Sequence, residues 1–145
     1  MRTLRRTIVA LCLWAHISAC GNQTIINGPV ELTDRWLEIP IADPIEIADR
    51  YYLILVHSSK LTFEGHLRPV SPTGKELRIH AELIDMDNKS LPLECTGYVF
   101  GLPEGDGISS GPASPGHTDR KFKSLRLRSE VNVTIVRASW TRSFV

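Results

Sequence analysis

Leu77-Arg78-Ile79-His80-Ala81-Glu82-Leu83 alternates without a break: Leu77, Ile79, Ala81 and Leu83 fall on one face of an extended chain, and Arg78, His80 and Glu82 fall on the other. A period of two is the mark of a strand in an antiparallel sheet with one face in the core and one in water. Asp85-Met86-Asp87-Asn88-Lys89 follows. Short polar side chains that bond their own backbone favour a turn there. Leu91 to Phe100 then resumes the apolar pattern and completes a hairpin.

On either side of the hairpin, apolar runs of strand length recur between Pro, Gly, Asn and Asp, and none has helical spacing. Tyr51 to Val56 is continuously apolar and reads as a buried central strand. Leu37, Ile39 and Ile41 suggest an earlier strand that stops near Pro40 and Pro44, and Leu61 to Val70 another, ended by Ser71-Pro72-Thr73-Gly74. Phe122 to Arg128 and Val131 to Thr141 form a closing pair joined at Ser129-Glu130. The expected class is all-β: an antiparallel β-sandwich of about seven strands, Ig-like or jelly-roll-like. Gly101 to Arg120, with five glycines and three prolines, is expected to be irregular.

The chain opens differently. Met1 to Arg6 holds Arg2, Arg5 and Arg6 and no acid, and Thr7 to Ile17 is apolar. That run has signal-peptide length and falls far short of the ~20 residues that span a bilayer. It ends in Ile17-Ser18-Ala19-Cys20, which resembles the lipobox of bacterial lipoproteins: an aliphatic residue, two small residues, then cysteine. The resemblance covers only the leader. It implies a diacylglyceryl thioether on Cys20, cleavage between Ala19 and Cys20, and attachment to a membrane through the lipidated Cys20. Gly21, where an aspartate would favour inner-membrane retention in Gram-negative members, implies the outer membrane. The competing reading is an ordinary secretory leader cut after Gly21, with Ala19 and Gly21 as the small pair. The expected organisation is a signal peptide over 1–19, a lipidated polar tether over 20–32 and the β domain over 33–145.

Once the leader's three arginines are removed, 14 basic residues face 16 acidic ones, a net charge of −2. A nucleic-acid partner is not expected, because phosphate binding needs a basic excess. The cysteines are Cys12 in the leader, Cys20, and Cys95, so the domain holds no disulfide pair. Cys95, among Leu91, Leu93, Tyr98, Val99 and Phe100, is expected to be a buried apolar thiol. No cofactor motif is present.

Three patterns bear on chemistry. Gly107-Ile108-Ser109-Ser110-Gly111 matches the letters of the G-x-S-x-G nucleophile elbow, with His117 and Asp119 following. The elbow works because a strand enters and a helix leaves a strained turn, and Gly and Pro on both sides leave no such context. His80 and Glu82 share a strand face as paired metal ligands would, with His57, His66 and His117 elsewhere, but no second paired motif supplies the three or four ligands a zinc needs. Trp36, Tyr51, Tyr52, Tyr98 and Trp140 are equally suited to sheet packing and to a sugar-stacking platform. The expectation is therefore a non-enzymatic interaction or accessory module of the cell envelope, with an envelope protein as partner. The alternative is a carbohydrate- or peptidoglycan-binding β-sandwich, followed by a small hydrolase.

Overall fold

The computed structural model describes residues 22–46, 51–65, 68–71, 74–112 and 120–142. Ten strands follow one another: β1 (Asn22–Leu32), β2 (Leu37–Glu46), β3 (Tyr51–His57), β4 (Thr62–Glu64), β5 (Arg68–Val70), β6 (Ile79–Asp85), β7 (Ser90–Leu102), β8 (Gly105–Pro112), β9 (Lys121–Ser129) and β10 (Val133–Arg142). Eight form one antiparallel sheet in the order β1-β10-β3-β8-β7-β6-β9-β2, while β4 and β5 make a separate ribbon. The sheet curls until its end strands, β1 and β2, come together in a nearly closed barrel. The chain is thus all-β and antiparallel, as the alternation requires, with its layers formed by one curled sheet.

Inside the barrel, Leu53, Leu55, Leu83, Phe122, Leu125, Leu127 and Ile135 are fully buried. Each such side chain contributes roughly 1.5–3 kcal/mol relative to exposure. β6 lies between β7 and β9 and follows its sequence: Ala81 and Leu83 enter the core, and His80 and Glu82 stay half-exposed. Glu82 ion-pairs across to Arg126 on β9 at 3.3 Å, and His80 Nε2 lies 3.3 Å from Glu130 Oε1. The β6–β7 turn is built on Asp85, whose Oδ1 accepts the Asp87 and Lys89 amides at 2.9 and 2.8 Å and whose Oδ2 accepts Arg120 Nε at 2.9 Å. These bonds, the Lys89 amide first, hold the Asp85 carboxyl below the usual carboxylate range. Asn88 supplies the positive φ of 63° that closes the turn.

Several expectations are corrected. Residues 22–32, expected to belong to a polar tether, form β1, paired along β10 from Asn22↔Thr141 to Leu32↔Val133. β1 is an end strand of the sheet, hydrogen-bonded on one side only, and such a strand tolerates the polar residues, Gly28 and Pro29 that disguise it. The same reasoning covers β2, which runs through Pro40 and Pro44 at the opposite edge. Its register breaks between Pro40↔Ser124 and Ile45↔Phe122, so a bulge absorbs the prolines.

Gly101 to Arg120 is not irregular throughout: β7 extends to Leu102, and Gly105–Pro112 is β8, an interior strand between β3 and β7. Its glycines are filled by neighbours. A Cβ at Gly111 would stand 2.9 Å from the Tyr52 ring, which occupies that space. Leu61 to Val70 is not one strand but the β4–β5 ribbon, reversed at Gly65.

Cys95 is exposed, not buried. β6 pairs with β7 only as far as Ala81↔Leu93, and beyond Leu93 strand β7 is bonded to β8 alone, with a bulge between Cys95 and Gly97. The thiol therefore sits where the barrel wall opens. Cys20, Ala19 and the rest of the leader lie outside the described residues.

Candidate functional site

The strand register sorts the barrel into two ends. The starts of β1, β3, β7 and β9 share one end with the Asp85–Lys89 turn, and the other end gathers the β1–β2 loop, the end of β3, the β7–β8 turn and the β9–β10 turn. The first is the proximal end; the second, the distal end, holds His57, Asp106, Trp36 and Phe100.

His57 is the last residue of β3 and pairs across to Asp106 on β8. Cross-strand partners share a face. The imidazole is fully buried, and neither ring nitrogen has a protein hydrogen-bond partner of good geometry. Asp106 is buried too, and its Oδ2 accepts the Leu61 amide at 2.8 Å while Oδ1 lies 3.8 Å from Lys60 Nζ. Beside His57 is a cavity of about 30 Å³, lined also by Ser59, Lys60, Val70, Ser71 and Asn132. Leu61, Leu77 and Val133 complete a mostly apolar lining, and a space of that size has room for about one water molecule and none for an organic ligand.

Burial lowers the His57 pKa below the ordinary histidine value, with the Asp106 charge and the Ser59 backbone acting weakly the other way. A ring kept neutral in the fold but free to protonate in the unfolded chain makes the unfolded state bind more protons as acid is added. Stability is then constant well above pH ~6.5 and falls as pH drops below it. The urea midpoint should show this decline as the pH is lowered through about 6.5 and below. His57→Phe, which fills the place without ring nitrogens, should flatten it. An unchanged slope in the variant would assign the decline to another group.

The aromatic residues divide. Tyr51 stacks on Trp140 at 6.3 Å and 13°, and Trp140 is buried, so both are packing residues. Tyr52 covers Gly111. Trp36 is exposed on the β1–β2 loop, but Arg126 and Arg128 place guanidinium groups 4.7 and 5.1 Å from its ring centroid. Tyr98 belongs to a cluster that the sequence did not signal. Phe63 of β4 meets Tyr98 edge to face at 5.3 Å and Phe100 at 5.5 Å, and Phe100 is 58% exposed. Burial, followed by the Cys95 thiol, pushes the Tyr98 hydroxyl up to about 12.

Ser109 stands in the middle of β8, opposite Ile54 and Gly97, with its Oγ 2.9 Å from Thr96 Oγ1. Strand continues on both sides of it from Gly105 to Pro112, where an elbow would need a strand-to-helix turn at the serine, and His117 and Asp119 lie outside the described residues. His80 and Glu82 are held by Glu130 and Arg126 as above, His66 and His117 are outside the described residues, and no group of three or more His, Cys, Asp or Glu side chains able to hold a metal occurs among the described residues. The pairing that sequence reasoning missed is His57 with Asp106. Their 49-residue separation leaves no local signal, and only the β3–β8 register brings them together.

Among the described residues no helix is long and apolar enough to cross a membrane. Comparison of the chain with protein-family models, with curated proteins and with solved structures finds no match.

Proposed function

We propose that this chain is a bacterial envelope lipoprotein, held in the membrane through acylated Cys20, whose β domain is a non-enzymatic interaction module. The observation that carries the reading is Ile17-Ser18-Ala19-Cys20 closing an apolar run that three arginines precede. A thioether requires the sulfur of Cys20, and the two or three acyl chains of a mature lipoprotein, at roughly 0.8 kcal/mol per buried CH₂, make attachment effectively permanent.

The interaction role is supported by what the polar side chains do. Ser109, His80, Glu82 and Asp85 are each engaged in a cross-strand or turn contact. What the distal end offers outward is apolar area at Phe100 and the arginine-backed Trp36. A protein partner suits these better than a glycan. Sugar stacking needs a flat open ring face, whereas Phe63, Tyr98 and Phe100 meet at 79° and 68° and cations occupy the Trp36 ring.

Cells fed labelled palmitate and fractionated should give a labelled protein in the membrane pellet. Cys20→Ser should lose the label and leave the pellet. Label retained by the serine variant, or an unlabelled wild type with its mature N-terminus at another residue, refutes the anchor.

A further inference from the structure

We propose that acylation of Cys20 seats the proximal end of the barrel on the bilayer, with the Asp85–Lys89 turn against lipid headgroups and the distal end held clear of the membrane. The inference rests on the lipoprotein reading and deepens it.

The carrying observation is where β1 begins. Asn22 is already paired to Thr141, so one residue separates the acylated cysteine from the sheet. Two residue steps span at most about 7 Å even when fully extended. A flexible thirteen-residue tether, the arrangement that polar composition suggests, would have an end-to-end distance of about 20 Å and would let the domain turn freely. A strand beginning at Asn22 removes that freedom. The lipid attachment point must lie close to the end of the barrel where β1 starts.

The register names what shares that end. Arg142 is opposite Tyr51, Leu93 opposite Pro112, Ile84 opposite Ser90 and Glu46 opposite Lys121. The Asp85–Lys89 turn stands there with Met86 56% exposed, and Lys89 and Lys121 are exposed beside it. An exposed thioether flanked by lysines suits the headgroup boundary: the amines meet phosphate and the apolar stem meets the upper acyl region. Asp87 and Glu46 offset part of the charge, and Glu46 lies 3.9 Å from Lys121 Nζ. The acyl chains therefore supply the affinity, and this end supplies the geometry. The eleven residues of β1, at ~3.3 Å each and tilted as barrel strands are, place His57, Trp36 and Phe100 about 25–35 Å farther out.

The test uses the full chain, expressed and processed in a bacterium, with exposed Cys95 changed to serine. Single reporters at Met86→Cys, Lys89→Cys and Phe100→Cys carry an environment-sensitive fluorophore. The protein is reconstituted in vesicles of phosphatidylethanolamine and phosphatidylglycerol, with and without a headgroup nitroxide, and intact mass establishes acylation. Quenching should be several-fold stronger at positions 86 and 89 than at 100. A flexible Gly-Ser spacer of about ten residues inserted between Gly21 and Asn22 should erase the difference. Acylated protein quenched equally at all three positions, or most at 100, overturns the orientation and leaves the anchor standing. Processed protein without an acyl group overturns both.

Discussion

Gly105→Ala is expected to leave the domain largely unfolded. Gly105 opens β8 with φ of 153°, a conformation that side chains rarely adopt, and a Cβ built there would lie 1.7 Å from the carbonyl oxygen of His57. That oxygen belongs to β3, an interior strand whose register with β8 runs from Leu53↔Ser110 to His57↔Asp106. It cannot retreat as a flexible side chain would. The dihedral alone costs of order 1–3 kcal/mol, and relieving the clash means parting the two strands where His57 and Asp106 are paired. Against a total stability of about 5–15 kcal/mol for a domain of ordinary size, the sum removes most or all of the native population. Equilibrium urea unfolding checks it: the variant should show no folded baseline, or a midpoint displaced by more than half the wild-type value. A wild-type midpoint would mean that β3 and β8 are not in contact there.

Phe122→Ala carries the next largest effect. Phe122 is the bulkiest of the fully buried side chains and sits on β9 opposite Ile45 of β2 and Asp85 of β6. Its ring also lies 5.1 Å from the Arg120 guanidinium, the group that binds Asp85. Truncation leaves a cavity and loosens the Asp85 turn, at a cost of about 3–5 kcal/mol. For a domain of this size the melting temperature should fall by about 10–20 °C. Phe100→Ala is the internal comparison: the same chemistry at a 58% exposed ring, which gives up its edge contact with Phe63 but opens no cavity, should cost about 1 kcal/mol or less. Equal losses from the two variants would refute the assignment of Phe122 to the core.

What was legible in the sequence, and what was not, follows from where each strand lies. The alternation from Leu77 to Leu83 is clean because Leu77, Ala81 and Leu83 meet the core while Arg78, His80 and Glu82 reach water, before β6 is buried on both faces at Ile84 and Asp85. β3 was recognisable for the opposite reason, an unbroken apolar run in an interior position. β8 carries neither pattern. Its interior place is filled by backbone and small side chains, with Tyr52 supplying over Gly111 the bulk that β8 lacks. Composition alone therefore makes it look like a loop. β1 and β2 were hidden or cut short by prolines that an interior strand would exclude and an edge strand accepts.

The chemistry was less legible than the fold. The conspicuous motif, around Ser109, falls in mid-strand. His57 and Asp106, which meet at the distal end, carry no mark in either local segment. Aromatic identity was equally ambiguous, since Trp140 is core and Phe100 is surface, and nothing short of strand register separates them.

The meeting of β1 and β2 has a consequence for molecules crowded together. These two strands are the ends of the ladder, bridged at the seam by the Gln23 side chain donating to the Asp43 carbonyl at 2.7 Å, and an end strand is the kind of edge onto which another copy could add and start an open-ended ribbon. β1 breaks its own periodicity twice, between Thr24 and Ile26 and between Asn27 and Val30, and β2 does so between Pro40 and Ile45. A second copy finds no uninterrupted template on either lip. The irregularities that hide these strands in the sequence also guard against polymerisation where copies of the chain are crowded together.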